Sequence, residues 1–572
     1  MSLAIRTSLA SAIQAAFTTL GLDAPALVNL ERPARPEHGD WSTNAALAAA
    51  KASARNPREL AAALKGAIDA TPPRHVTAVE IAGPGFLNFR LANSWLHDVV
   101  ELVLDEGEAN YARLKLPGSR SVVVEYVSAN PTGPLHAGHA RWAAYGDALS
   151  RVLARSGYDV HREFYINDRG AQMTKFGLSL ECRKWGHVPP DDFYMGQYIT
   201  DWAAEMPADA NPFEWGYARA LDYQKSTLKR MNVEFDSWSS ERAIAASGAV
   251  ESTLDELRSH GHIYEAAKAE NEDSERPDDD ADTPAAGGGN ATWLRTTTFG
   301  DDRDRVVIKA DGTYTYFMPD IAYHRDKFKR GDLLIDIFGS DHHGYVRRTK
   351  AGIEALGHTP DDVEVLIGQN CVLLRNGEPV RLSKRTGDII ELAEIIDEVG
   401  ADAAKLTFLL QSIDTRQTVD LGVLVSQSMD NPVHYVHYAH ARVHGIGRQA
   451  IERGIVRADR AETNLALLAH DRELELARIL GDLPDALTLA CNDRAPHKIT
   501  TWVRELAGAF QGFYHDCPVL RDDIAEDVRN ARLWLVEAVR IGLAIGLDLL
   551  GVSAPTHMER LDEEAATTNT QP

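Results

Sequence analysis

Two histidines, His136 and His139, follow an apolar stretch and a turn-forming stretch in a pattern that can bind phosphate. Residues 122–127 (VVVEYV) predict a buried strand, residues 128–134 (SANPTGP) a turn, and the residues from the histidines onward a long helix. The backbone N–H groups and the dipole at a helix start favour phosphate, and two imidazoles there can donate hydrogen bonds to the α- and β-phosphates. Gly138 carries no side chain, so adenine can pack against the backbone there. The pattern predicts a nucleotide site, although two histidines at this spacing also occur by chance.

A lysine on a polar loop lies much later in the chain, within residues 381–388 (RLSKRTGD). A loop of this kind can bring Lys384 onto the phosphates and neutralise charge as pyrophosphate leaves. By itself such a segment is most often only a solvated turn. Together with the strand, the turn and the paired histidines, it predicts a reaction at the α-phosphate of ATP.

The chain is acidic and long enough for several buried cores. Lys and Arg total 60 against 84 Asp and Glu, a net charge of −24, which argues against non-specific binding of nucleic acid, DNA included, but not against a local RNA surface. The four cysteines form no CxxC pair, so neither a zinc site nor a disulfide is predicted. Residues 533–550 are the most apolar late stretch, but charged residues interrupt it. We therefore expect a cytoplasmic protein without a targeting segment or a membrane span.

Changes in residue pattern divide the chain into an α+β module, an α/β domain and a helical bundle. Residues 1–115 combine alanine-rich helical segments with an alternating stretch around a Gly-Pro-Gly turn, which predicts a small sheet. Residues 116–420 alternate strands and helices, as in a doubly wound parallel sheet of Rossmann type, with an insertion at about 182–300 that ends in an acidic loop. Residues 421–558 predict an α-helical bundle, and residues 559–572 a polar tail.

Several segments make this chain similar to a known family of enzymes. HAGH at 136–139 resembles the HIGH signature of class I aminoacyl-tRNA synthetases. RLSKR at 381–385 resembles a degenerate KMSKS loop, in which Arg381 replaces the first lysine and Arg385 the last serine. The strings that indicate arginyl-tRNA synthetases are EYVSANPTGPLHAGHAR, YINDRGAQ at 165–172, GSDHHGYV at 339–346 and SQSMDNPVHYVHYAHAR at 426–442, with HGDWSTNAAL and VEIAGPGFLNFRL near the N-terminus. The resemblance covers essentially the whole chain.

The resemblance implies a ligase that activates L-arginine with ATP to arginyl-adenylate and pyrophosphate. Arginine then passes to the 2′-hydroxyl of the terminal ribose of tRNA(Arg), and the tRNA must be bound before arginine is activated. The resemblance also implies that the N-terminal module contacts the outer corner of the tRNA and that the bundle contacts the anticodon. Mg²⁺ is expected to be carried with ATP, without a protein metal site and without structural zinc. We expect a monomer.

The resemblance also assigns roles to individual residues. His136, His139 and Lys384 become the catalytic groups, with Lys384 on the pyrophosphate. Gly339 and Asp341 are placed near the ribose and His343 near the phosphates. The implied ATP contacts are Gly138, Gly339, Asp341, His343 and Ser383. Asp341 and His343 could instead be metal ligands, but no local carboxylate or cysteine completes a zinc set.

A pocket for arginine needs carboxylates and carbonyl-type acceptors arranged around a planar guanidinium group. Glu125 and Asn130 bracket the end of the first predicted strand, and Tyr316 and Asp320 are four residues apart, so in a helix they share one face. By resemblance, Asn130 is near the α-groups of the amino acid, and Tyr316 and Asp320 face its guanidinium. Glu125 lines the same pocket. Each of the four could instead make an ordinary structural contact.

Two other functions share part of this pattern. A nucleotidylyltransferase would have the same HxGH turn but no reason for the flanking module and the helical bundle. A non-catalytic RNA-binding paralogue would typically lose the phosphate donors, whereas His136, His139 and Lys384 are all present. Aromatic and basic residues of the bundle are more often core than platforms for RNA bases, so the domain but no individual RNA contact is predicted.

Overall fold

The structure is a computed structural model that describes most of the chain. It describes residues 2–33, 35–267, 289–340, 344–380, 390–425 and 431–558. The predicted features that lie outside these ranges are the loop at 270–288, the tail at 559–572, and Arg381, Asp341, His343, Ser383 and Lys384. Within these ranges, no helix combines the length and the apolar character that crossing a membrane requires.

A five-stranded parallel sheet lies at the centre of the α/β domain, as predicted. Its strands, in chain order, are β4 (Ser121–Glu125), β5 (Asp159–Ile166), β6 (Ser237–Ser240), β10 (Leu333–Gly339) and β11 (Val363–Gly368). In space the order is β11-β10-β4-β5-β6, so the connections run outward from β4 in both directions. The residues of β4 and the first half of β10 are almost all buried, as is typical of strands covered by helices on both faces.

The first central strand is shorter than its sequence suggests. VVVEYV predicts a strand to Val127, but β4 ends at Glu125. Val127 and Ser128 have φ angles of 71° and 39°, in the left-handed region that β-strands exclude. The apolar character of Tyr126 and Val127 reflects their burial in a sharp corner, which a hydrophobicity pattern does not distinguish from a strand.

The remaining elements of the α/β domain surround this sheet. The helices are α5 (Ala137–Arg155), α6 (Gly170–Lys184), α7 (Gln197–Glu205), α8 (Pro212–Arg230), α9 (Glu241–Ala246), α10 (Ala249–Ser259), α11 (Phe317–Lys327), α12 (Tyr345–Ala355), α13 (Leu392–Val399), α14 (Ala401–Phe408) and α15 (Leu421–Val425). Two small sheets contain β7 (Ile263–Ala266), β8 (Ala291–Leu294) and β9 (Arg305–Ile308), and β12 (Cys371–Arg375), β13 (Glu378–Pro379) and β14 (Gln417–Asp420). Helices α6, α7 and α8 share an apolar core of their own.

The two ends of the chain pack on each other. The N-terminal module consists of α1 (Ser2–Thr19), β1 (Trp41–Thr43), α2 (Ala45–Ala50), α3 (Pro57–Ala70), β2 (Val76–Ala82), β3 (Phe86–Leu91) and α4 (Ser94–Asn110). The helical bundle consists of α16 (Pro432–Glu452), α17 (Asp471–Asn492), α18 (His497–Asp516) and α19 (Glu526–Leu549). Trp95 and Val99 of α4 lie against Gly481 of α17, and the Tyr111 hydroxyl donates to the carbonyl of Leu480 at 2.6 Å. The predicted module and bundle are present, and α4 joins them.

Candidate active site

The carboxyl ends of β4 and β10 form the edge of the sheet where the strand order reverses. Glu125 and Asp336 are register partners at this edge, and Gly339 ends β10. The turn that carries the paired histidines leaves β4 here and enters α5. Crevices at such reversal points are where open α/β sheets bind ligands. The fold therefore brings together the two ends at which the sequence predicts nucleotide contacts.

Hydrogen bonds at the start of α5 fix the orientation of both histidines. His136 is the N-cap, and its Nδ1 accepts from the N–H of Gly138 at 3.1 Å. The Nδ1 of His139 accepts from the N–H of His136 at 3.2 Å, and the two ring centroids are 3.8 Å apart. Because each Nδ1 is an acceptor, each neutral ring carries its proton on Nε2. The turn thus places two rings with Nε2–H donors together at a helix N-terminus, where the backbone and the helix dipole favour phosphate.

Gly138 has a steric role within this turn. A Cβ atom at this position would lie 2.8 Å from Cε1 and 2.9 Å from Nδ1 of His136. Any side chain would therefore displace the His136 ring from its cap. The prediction that adenine packs here rests on sequence, whereas the close approach of the imidazole is a further reason for glycine.

The segment that follows the predicted lysine loop is bonded to the histidine turn. The N–H of Ala137 donates to the carbonyl of Ile390 at 2.9 Å, and the N–H of Leu392 donates to the carbonyl of Leu135 at 2.7 Å. His136 and Glu391 form the corresponding antiparallel bridge. Residues 390–392 are the first described residues after Lys384, so the chain returns from the loop directly beside the paired histidines.

Tyr316 and Asp320 lie one helical turn apart at the start of α11. The N–H of Asp320 donates to the carbonyl of Tyr316 at 3.3 Å, which confirms the predicted helical spacing. The Tyr316 residue is 69% exposed, so its phenol is accessible from solvent. The Asp320 side chain is 29% exposed, and its Oδ1 is 3.5 Å from Nδ1 of His324.

Glu125 lies in a buried group of charges below this edge of the sheet. Its Oε2 accepts from the hydroxyl of Tyr323 at 2.9 Å and pairs with the Lys327 ammonium. Its Oε1 accepts from the hydroxyl of Ser128 at 2.8 Å. Lys327 is fully buried and also donates to Oδ1 of Asp336 at 2.6 Å. Burial raises the pKa of Glu125, and the Lys327 ammonium beside it opposes that rise.

His324 joins this group of charges to Asp320. Its Nδ1 donates to the carbonyl of Asp320 at 2.8 Å, and its Nε2 donates to Oδ2 of Asp336 at 2.8 Å. Burial would lower the pKa of His324, but the charges of Asp320 and Asp336 outweigh it and raise that pKa. Both ring nitrogens face acceptors, which favours the imidazolium form. Asp336 contacts both Lys327 and His324 and Glu125 pairs with Lys327, whereas the Asp320 carboxylate makes a longer contact, 3.5 Å, with His324.

Asn130 and several residues that the sequence did not single out complete the site. The Asn130 amide donates to Oε1 of Gln172 at 2.6 Å. The ring of Tyr165 packs against that of Tyr323 in a tilted arrangement, with centroids 4.4 Å apart. Burial and the charges of Glu241, Asp320 and Glu125 raise the pKa of the Tyr165 phenol. Tyr165 and Gln172 lie in the quoted string YINDRGAQ, but nothing in the local sequence marks Glu241.

Metal ligands are not grouped in the described part of the chain, where no cluster of three or more His, Cys, Asp or Glu side chains could hold an ion. The four cysteines are unpaired. Asp341 and His343, which the sequence left open as metal ligands, lie outside the described residues.

Comparison with known proteins agrees with this geometry. The family model for the class I tRNA synthetase (R) catalytic domain matches residues 100–184 and 287–419. Models for the arginyl tRNA synthetase N-terminal domain and the DALR anticodon binding domain match residues 3–91 and 436–558. The parallel sheet, its reversal point and the capped histidine turn thus define a catalytic domain of class I aminoacyl-tRNA synthetases.

Individual relatives narrow the assignment. An arginine–tRNA ligase of Desulforamulus reducens is 41% identical over alignments covering 97% of this chain and 99% of the relative. One from Frankia alni is 42% identical and covers 94% of this chain and 96% of the relative. The solved Thermus thermophilus arginyl-tRNA synthetase, 22% identical, has the same fold with a TM-score of 0.73 over 97% of this chain and 100% of its own. The chain belongs to the arginyl-tRNA synthetase family.

Proposed function

We propose that this chain activates L-arginine with ATP and transfers the arginyl group to the terminal ribose of tRNA(Arg). The observation that carries the proposal is the pair of Nε2–H donors on His136 and His139 at the reversal point of the sheet. A nucleotidylyltransferase or an RNA-binding paralogue fits less well. The matches to an arginyl-tRNA synthetase N-terminal domain and to an anticodon-binding domain favour the ligase over both.

Activation needs no nucleophile from the protein. The arginine carboxylate attacks the α-phosphorus of ATP, a C(O)O–P bond forms, and the bond to the pyrophosphate oxygen breaks. The Nε2–H groups of His136 and His139 donate to the phosphate oxygens as charge develops on them. Lys384 neutralises the leaving pyrophosphate with Ser383 beside it. Lys384 precedes Ile390 by six residues, and the bonds of residues 390 and 392 to the histidine turn support this role because they join the end of that segment to the site.

Further ATP contacts are proposed at the end of β10 and at the start of α5. Gly138 and Gly339 allow the nucleotide to approach the backbone, Asp341 contacts the ribose, and His343 contacts the phosphates. Mg²⁺ enters with ATP and is held by phosphate oxygens and water, where it screens charge on the triphosphate.

The charge balance below the site supports the arginine pocket. Because Lys327 and His324 lie closer to Asp336 than His324 lies to Asp320, and Asp320 is 29% exposed, Asp320 is the carboxylate that a guanidinium group can reach. Tyr316 offers its accessible phenol on the same helical face, and Asn130 binds the α-groups of the amino acid. Glu125 lines the base of the pocket, where it pairs with Lys327. A site that leaves such acceptors unpaired rejects neutral analogues such as citrulline.

The tRNA contacts follow the domains. Residues 1–115 contact the outer corner of the tRNA, residues 116–420 with their insertion at about 182–300 hold the reaction site, and residues 421–558 contact the anticodon. The enzyme works in the cytoplasm as a monomer.

The deciding experiment is arginine-dependent exchange of pyrophosphate into ATP, measured with and without tRNA(Arg). We expect exchange with arginine only when the tRNA is present, and formation of arginyl-tRNA at a matching rate. Exchange with another amino acid, or nucleotide transfer to a small acceptor without tRNA, contradicts the proposal.

A further inference from the structure

The turn between β4 and α5 has an unusual backbone. Val127 and Ser128 both have positive φ angles, and a β-branched residue such as Val127 rarely adopts that conformation. Such conformations persist only where the surroundings hold the backbone in place. The same turn carries Asn130 and leads into His136, so its conformation sets the positions of both. Residues that hold this turn in place therefore affect the reaction through the positions of Asn130 and His136.

Two side chains of the insertion donate hydrogen bonds to this turn. The amide nitrogen of Gln224, on α8, donates to the carbonyls of Asn130 at 3.0 Å and Gly133 at 2.9 Å. Gln224 is only 1% exposed, so solvent does not compete for these bonds. The hydroxyl of Tyr198, on α7, donates to the carbonyl of Thr132 at 3.0 Å. Three carbonyls of the turn are thus bonded to two side chains that lie far from it in sequence.

The fit between Tyr198 and the turn is close. A Cβ atom on Gly133, whose φ is 157°, would lie 2.8 Å from Cζ and from the hydroxyl oxygen of Tyr198. Any other residue at this position would push the phenol away from the turn. The Tyr198 ring also packs edge-on against Trp202 at a centroid distance of 5.1 Å, within the apolar core that α6, α7 and α8 share.

Helix α8 also holds the other side of the histidine turn. The hydroxyl of Tyr223, next to Gln224, donates to Oε2 of Glu391 at 2.8 Å. Glu391 is the residue that forms the bridge with His136. Tyr223 and Gln224, which are adjacent on α8, thus bond the segment at 390–392 and the turn at 130–133. Helix α8 therefore has a fixed position relative to both segments.

We propose that Gln224 and Tyr198 are positioning residues, which hold the turn at 130–133 so that Asn130 and His136 meet their substrates in reactive geometry. The inference deepens the proposed function and rests on it. It assigns the insertion a part in adenylate formation although neither residue touches the reacting atoms. A displacement of about 1 Å in a reactive arrangement can cost a hundredfold in rate, so loss of these bonds acts mainly on kcat.

The test compares Gln224→Leu, Gln224→Glu and Tyr198→Phe with the wild-type chain in tRNA-dependent pyrophosphate exchange. Gln224→Leu removes both donors at nearly constant volume, and we expect kcat to fall by about ten- to a hundredfold with KM for ATP changed less. Tyr198→Phe keeps the ring and removes one bond, and we expect a fall of about threefold to tenfold. Gln197→Leu is the matched control on α7, because the Gln197 amide donates only to exposed Asp201 in the described contacts.

Gln224→Glu provides a readout that loss of packing does not reproduce. A carboxyl buried against two carbonyl oxygens has a raised pKa, and only its protonated form can donate. Its kcat relative to wild type should therefore rise as the pH is lowered from about 8.5 to about 6.5, while Gln224→Leu shows no such rise.

The outcomes separate this inference from the proposed function. If the wild-type chain forms no arginyl-tRNA, both the proposed function and the positioning role are wrong. A wild-type chain that charges tRNA, with kcat of Gln224→Leu and Tyr198→Phe within about twofold of it at unchanged melting temperature, overturns only the positioning role. If Gln224→Leu does not fold, Tyr198→Phe and the pH profile of Gln224→Glu still test the positioning role.

Discussion

Replacing Asp320 by Asn tests which carboxylate meets the substrate guanidinium. The variant keeps the backbone carbonyl that His324 Nδ1 bonds at 2.8 Å and keeps the shape of the side chain, so the fold should persist. It removes the negative charge of a carboxylate whose contact with His324, at 3.5 Å, is longer than the one that Asp336 makes. A hydrogen bond to a charged group contributes about 1.5–3 kcal/mol, and the Asp320 side chain is 29% exposed, which keeps the effect within this range. We therefore expect KM for arginine to rise roughly tenfold to a hundredfold.

The assay is the initial rate of arginyl-tRNA formation, with arginine and ATP titrated separately. KM for ATP should change less than about threefold, because the proposed ATP contacts lie at α5 and at the end of β10. Asp326→Asn is the control on the same helix: Asp326 has a similar exposure, 26%, but pairs with Lys329 and Arg330 and not with His324, so the change should leave both KM values unchanged. Equal weakening of arginine and ATP, or an unchanged KM for arginine, would refute the guanidinium assignment.

Three further predictions concern other parts of the chain. Lys384→Ala should lower the rate of adenylate formation by orders of magnitude without changing the melting temperature, and unchanged single-turnover kinetics would remove Lys384 from the mechanism. Deleting residues 270–288 should leave tRNA charging nearly intact in the same assay, and a loss of charging would show that the acidic loop acts in it. Because the pKa of His324 is raised, its contribution to stability is present below its unfolded value of about 6.5 and is lost as the pH rises through the folded pKa. The urea midpoint of wild type relative to His324→Gln should therefore fall as the pH rises above about 6.5, and a difference that stays constant with pH would contradict the raised pKa.

The larger architecture could be predicted because its signals are local. Alternating strands and helices, a Gly-Pro-Gly hairpin and amphipathic helices at the C-terminal end indicate the parallel sheet, the module and the bundle. The helical spacing of Tyr316 and Asp320 was equally local. The end of β4 could not be predicted from a local signal, because Tyr126 and Val127 remain buried after the strand has ended.

The electrostatics of the site could not be predicted from the sequence. Lys327 and His324 are ordinary polar residues of an amphipathic helix when viewed by spacing alone. Only the packing of α11 against β4 and β10 brings Lys327 between Glu125 and Asp336. The same holds for Gln224, whose bonds to the turn span more than 90 residues of sequence. Contacts of this kind depend on tertiary structure, and the spacing of residues in the sequence does not predict them.

The packing of α4 on α17 and α19 has a consequence for synthesis on the ribosome. Trp95 and Val99 are covered by residues of α17, and the hydroxyl of Tyr111 bonds a carbonyl 369 positions later. At 5–20 residues per second, the ribosome needs roughly 20–75 seconds to supply those partners. During that interval the nascent chain carries an uncovered apolar helix, so chaperones that recognise such helices have time to bind before the last helices emerge.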